Sequence, residues 1–165
     1  MSQEEIDRVA NLIKNWLVAE GNFKDKIEDP DAYYHFRAIY PKATPSFIDI
    51  VIPKASPDAV VIAAGVNVSQ VHKDKLKLGD EQTRRKFILE FQLALAHAPA
   101  QYTLYYEDKT VLHQFAIIQP IYFDGLTKDK FMRTLQDVSA TKIIGILQFH
   151  KYLGIIPEEE NQQVK

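Results

Sequence analysis

Three runs rich in aromatic and β-branched residues, at 33–40, 47–52 and 60–68, follow one another across two connections of only five residues, 41–45 and 53–57. Each connection begins and ends in proline, as Pro41 and Pro45 and as Pro53 and Pro57. Proline cannot donate to a strand ladder, so these segments are turns and not strand interiors. A parallel crossover needs a dozen residues or more, whereas a short connection returns the chain antiparallel. The middle of the chain is therefore expected to be a three-stranded antiparallel meander.

The turn lengths also predict a register. A five-residue turn sets Tyr40 opposite Ser46, which places Arg37 opposite Asp49 and Ile39 opposite Phe47. Counted the same way, the second turn places Asp49 opposite Val61 and Val51 opposite Ala59. Side chains alternate across a strand, so one face carries Phe36, Ala38, Ile48, Ile50, Ile52, Val60 and Ile62, a core face. The other carries Tyr33, His35, Arg37, Ile39, Phe47, Asp49, Val51, Val61 and Ala63, a mixture too apolar for a face left in water. Coverage within the monomer is the leading expectation, ahead of a second copy of the chain and of a polypeptide client.

Outside the meander the hydrophobic period is helical. Ser2 and Glu5 have capping-box spacing. Ile6, Val9, Ala10, Ile13, Trp16 and Leu17 then recur on one face, and Gly21 is placed to end the helix. Residues 24–31 read as a charged loop. After the meander, Ser69 caps a short helical piece through Lys77, Gly79 interrupts, and Asp80 caps a longer piece that Pro99 stops. Strands are expected at 102–107 and 112–122. Leu126 is placed to staple onto Phe131, and Thr127 caps a last helix reaching Leu153, with Gly154 just past its end. The order is α-β-β-β-α-β-β-α, an α+β fold with helices packed on an antiparallel sheet. One domain is expected over 1–156, followed by a polar, disordered tail at 157–165. Ile143, Ile144, Ile146, Leu147, Phe149 and Leu153 cover a broad arc of the last helix. A core helix is the first reading of that arc, and packing against another subunit is the second.

Composition narrows the chemistry. At 165 residues, 46% hydrophobic and 25% charged, the chain has the profile of one globular domain. A net charge of -2 and a pI near 6.2 disfavour nucleic acid and anionic membrane as partners. No cysteine is present, so thiol nucleophiles and thiolate metal sites are excluded. The apolar run 59–66 is far short of the roughly 20 residues of a membrane helix. Residues 1–20 have neither an uninterrupted apolar stretch nor a small-residue cleavage site, and a cytoplasmic location is expected.

Candidate chemistry is sparse. The histidines His35, His72, His97, His113 and His150 have no metal-binding spacing. Phosphate-cradling and nucleophile-elbow motifs are absent, and only six glycines could build them. Asp49 interrupts an apolar strand; a salt bridge to Arg37 accounts for it, and a general base beside His35 or His113 is the rival reading. Lys73, Lys75, Lys77, Arg84, Arg85 and Lys86 crowd one segment, which reads first as a solvated helix face. No catalytic residue, metal or cofactor is assigned.

The order of elements resembles the type III secretion chaperone-like fold. More locally, Glu28-Asp29-Pro30-Asp31-Ala32, Ile48-Asp49-Ile50-Val51-Ile52-Pro53-Lys54 and Ile121-Tyr122-Phe123-Asp124-Gly125-Leu126-Thr127-Lys128 resemble a largely prokaryotic family of uncharacterised proteins, domain of unknown function 2299. The similarity covers about Glu4 to Leu153. It implies an α+β domain in a superfamily whose best-known members form homodimers and bind segments of other proteins; it supplies no catalytic residues. The functional expectation is a noncatalytic, chaperone-like binding module acting as a homodimer, with Ile39, Phe47, Val51, Val61, Ile146 and Phe149 at the partner surface. The alternative is a small enzyme or ligand-binding protein with a site near Asp49 and His35.

Overall fold

Local capping signals begin each helix where the sequence places it. Ser2 Oγ accepts the Glu5 N–H at 3.2 Å, and α1 (Gln3–Ala19) follows, burying Ile6, Val9, Ala10, Ile13 and Leu17. The helix closes on Gly21, whose φ of 68° is a left-handed conformation that only glycine adopts without steric penalty. Ser69 accepts from the His72 N–H to start α2 (Gln70–Leu78), and Asp80 from the Thr83 N–H to start α3 (Glu81–Ala96). Thr127 accepts from the Lys130 N–H to start α4 (Lys128–Leu153). The computed structural model describes residues 2–43 and 45–154; the expected tail at 157–165 and the end of the expected 1–156 domain lie outside them.

The strands are β1 (Phe23–Lys26), β2 (Ala32–Ile39), β3 (Phe47–Pro53), β4 (Ala59–Asn67), β5 (Tyr102–Asp108) and β6 (Val111–Tyr122). They form one six-stranded sheet in the order β1-β2-β3-β4-β6-β5, with every neighbouring pair antiparallel. The molecule is thus a single α+β domain with an antiparallel sheet, as expected, but with one strand more. β1 lies within what reads as a charged loop. It is a four-residue edge strand whose only apolar side chain is Phe23, and Lys24, Asp25 and Lys26 carry the kind of charge that keeps a sheet edge from pairing further.

The first turn gives the expected register, with Arg37 opposite Asp49 and Ile39 opposite Phe47. The second differs by two residues: Asp49 faces Ala63, and Val51 faces Val61. Pro53, expected in the turn, is instead the last residue of β3, where its missing N–H is harmless. Two short turns, closed by Ser56 N–H to Pro53 C=O and Ala59 N–H to Ser56 C=O, carry the reversal one residue further along. An even shift leaves every side chain on its predicted face.

All four helices contribute to one core on one side of the sheet. Residues from α1, Leu76 of α2, Phe87 and Phe91 of α3, and Phe131, Leu135 and Phe149 of α4 pack with Phe36, Ile48, Ile50, Val60, Ile62, Phe115 and Ile117. At its centre the Phe149 ring lies 5.2 Å from both Phe87 and Phe91. Phe91 meets Phe115 edge-on at 5.3 Å. The opposite face contributes nothing to this cluster: Ile39, Phe47, Val51, Val61 and Ala63 are neither in it nor packed against it. Coverage within the monomer therefore fails for the described residues, because every helix is drawn to the more apolar side.

Candidate functional site

The open face is built by alternation. In β2, β3, β4 and β6, every second residue points away from the helices, and the register aligns them in rows. His35, Val51, Val61 and Pro120 form one row; Arg37, Asp49, Ala63 and Ile118 form the next. Ile39 and Phe47 face each other at one end of the meander, and Gly65 faces Ala116 in the adjoining pair. Val51, Val61 and Ala63 are half-buried, while Ile118 and Tyr122 are exposed. Arg37 also covers apolar surface, with its guanidinium carbon 5.3 Å from the Phe47 ring centre.

A line of charge crosses this surface. Arg37 Nε donates to Asp49 Oδ1 at 3.0 Å, the cross-strand pair the register predicts. The same oxygen lies 3.3 Å from His35 Nε2, and His35 Nδ1 lies 2.9 Å from Asp29 Oδ2. The His35–Asp49 approach is close but poorly directed, and Nε2 is buried without a hydrogen-bond partner. Asp29 is steadied by the Asp31 N–H at 2.9 Å. That backbone donor first, and the His35 ring second, hold its carboxyl below the usual carboxylate range. Beside His35 is an open hollow of about 570 Å³, lined also by Lys26, Asp29, Pro30 and Tyr33.

Lys142 reaches the edge of this region from the helical layer. It is only 5% exposed, and its Nζ donates to Ser46 Oγ at 2.5 Å where β3 begins. Burial pushes its ammonium below the usual lysine range, and the Asp49 carboxylate opposes that shift in part.

The expected partner residues separate. Ile39, Phe47, Val51 and Val61 share the open face. Ile146 is half-buried against the core on the helical side. Phe149, expected on a partner-facing arc, is 4% exposed and sits at the centre of the aromatic core. The breadth of the apolar arc on α4 has an internal cause, since that helix packs between the sheet and α3; only Ile143 and Leu147 of the arc are exposed. Ala116, Ile118 and Pro120 extend the face beyond the meander. Their alternation is visible in 112–122, but their place beside β4 is set by the crossover through α2 and α3. The His35–Asp29 contact has no signal in the sequence.

Among the described residues no hydroxyl is hydrogen-bonded to His35. No three His, Asp or Glu side chains among them are grouped to hold a metal ion. No described helix is long and apolar enough to cross a membrane.

A protein of known structure from Methanothermobacter thermautotrophicus, described as uncharacterized, is 26% identical to this chain. Its crystal structure matches with a TM-score of 0.78, covering 86% of this chain and 96% of the other. YbjN from E. coli, described as a putative transcription regulator, matches at 12% identity and a TM-score of 0.50, over 86% of this chain and 92% of its own; this is a likeness of fold alone. No curated protein matches. The family model described as "Uncharacterized conserved protein (DUF2299)" matches residues 9–149, and the chain belongs to that family.

Proposed function

We propose that this protein is a noncatalytic protein-binding module that pairs with a second copy of itself through the open face of its sheet. The observation that carries the reading is a broad, largely apolar sheet face with no helix on it among the described residues. Strands β2, β3 and β4 have eight, seven and nine residues. Four neighbouring strands of that length make a surface on the order of 19 by 26 Å, roughly 500 Å² before side-chain relief. A standard interface buries about 800 Å² per partner, so the face is of the right order for one. Its central charges, Arg37 and Asp49, are paired with each other, so the middle of the same face on a two-fold partner meets it without a lone charge. The resemblance to the type III secretion chaperone-like fold, with its homodimers and polypeptide clients, supports the same reading.

Sedimentation velocity on the full chain tests it. The wild type is expected to be a dimer at micromolar concentration. In a two-fold interface Val61→Asp enters twice, at a cost of about 4 kcal/mol, roughly a thousandfold in Kd. The variant should sediment as a folded monomer with wild-type circular dichroism. Ile118→Asp, at a more exposed position of the same face, should do the same. A wild type that stays monomeric at all concentrations, or dimers that survive both substitutions, would refute the proposal.

A second reading rests on His35, whose buried Nε2 lacks a hydrogen-bond partner beside the hollow lined by Asp29 and Tyr33. A small ligand that donates a hydrogen bond to that nitrogen would make this a ligand site, and noncovalent mass spectrometry would then find a bound small molecule on the monomer.

A further inference from the structure

The helical side carries a second feature, independent of the open face. Six cations crowd residues 73–86, and the structure sorts them. Lys73 and Lys77 are both paired with Glu107, at 3.6 and 2.6 Å, and Arg85 is paired with Glu81 at 2.6 Å. The other three, Lys75, Arg84 and Lys86, form no ion pair among the described residues, and all three line one hollow of about 300 Å³ where α2, α3 and the end of α4 meet. Its walls are apolar, made by Leu76, Phe87, Tyr152 and Leu153.

Two of the cations are aimed by backbone carbonyls. Lys75 Nζ donates to Leu153 C=O at 2.5 Å, and Arg84 Nη1 to Gly79 C=O at 2.5 Å, with Arg84 Nε held by Thr110 Oγ1 at 3.0 Å. Carbonyls fix a cation in place without cancelling its charge. Asp80 and Asp108 lie close enough to offset part of the Arg84 charge, though each is hydrogen-bonded to backbone N–H groups and not to the guanidinium, and Lys75 and Lys86 have no carboxylate paired to them among the described residues. The result is an apolar hollow rimmed by positive charge on a chain whose net charge is -2.

We infer that this hollow is a binding site for a small amphiphilic anion, a molecule with an apolar body and a carboxylate or similar head. The volume is at the lower end of small-ligand sites, which run from roughly 300 to 1,000 Å³. Apolar walls supply contact area and the cationic rim fixes the head group, so neither a plain inorganic anion nor a plain hydrocarbon matches both parts of the site.

Octanoate is the probe, titrated into the isotope-labelled full chain and followed by NMR, with 1-octanol and octylammonium as controls. Octanoate should give saturable shifts centred on Leu76, Phe87 and Tyr152, and bind at least about fivefold more tightly than either control, the factor expected of one partly screened charge pair. Lys86 holds no other described group, so Lys86→Glu leaves the fold intact and should weaken octanoate about fivefold or more while leaving octanol unchanged. Equal binding of octanoate and octanol, an unchanged octanoate affinity in Lys86→Glu, shifts centred on the open sheet face, or no saturation would each overturn the assignment.

Discussion

Gly145 marks the closest approach of α4 to the sheet. A Cβ there would lie 2.5 Å from Phe115 Cε2, and that ring is fully buried and packed against Phe91 and Phe149. Alanine would gain about 1 kcal/mol of helix propensity but overpack the contact by about 1–3 kcal/mol. Gly145→Ala is therefore expected to lower stability by up to about 2 kcal/mol, read from the urea midpoint; a rise would mean that the ring can move. Lys142 presents the opposite case, a charge where apolar bulk would fit. Its folded pKa lies below its unfolded value near 10.5, so between the two the unfolded chain binds the extra proton and stability rises with pH. Lys142→Met should raise Tm at neutral pH and remove that rise, which thermal unfolding at pH 7 and pH 10 would show. At this scale the Arg37–Asp49 pair is legible in the sequence, because a turn length fixes it. The Asp29–His35 and Lys142–Ser46 contacts are not, because each joins groups whose meeting depends on how whole segments pack.

Among the elements, helices are announced by residues within one turn of their ends. The caps Ser2, Ser69, Asp80 and Thr127 each satisfy a first-turn N–H that would otherwise be orphaned. Thr127→Ala should cost about 1 kcal/mol, a fall in Tm of roughly 2–4 °C for a chain of this size. An unchanged Tm would show that water replaces the cap. β1 escapes such reading, since an edge strand buries little and its pairing to β2 is a backbone matter indifferent to the charges of Lys24, Asp25 and Lys26. The second turn of the meander shows the same limit: prolines announce a reversal, but which residue ends the strand is settled by hydrogen bonds that the turn itself makes.

For the whole molecule, the placement of every helix on one side of the sheet is what turns a mixed strand face into a candidate interface. If the open face pairs two chains, folding and association are linked, and Tm should rise with protein concentration in the wild type and not in Val61→Asp. A concentration-independent Tm alongside a monomeric mass would return the face to ordinary surface. Period, capping and turn length over short stretches of chain are enough to specify the α+β class, the helix starts, the antiparallel meander and the two faces of its strands. That β6 lies against β4, that Phe149 belongs to the core, that the described helices leave the second sheet face uncovered, and that three cations without an ion pair among the described residues meet around one hollow emerges only in the folded chain. Each depends on which surfaces from distant parts of the chain compete best for burial, and that competition has no local signal.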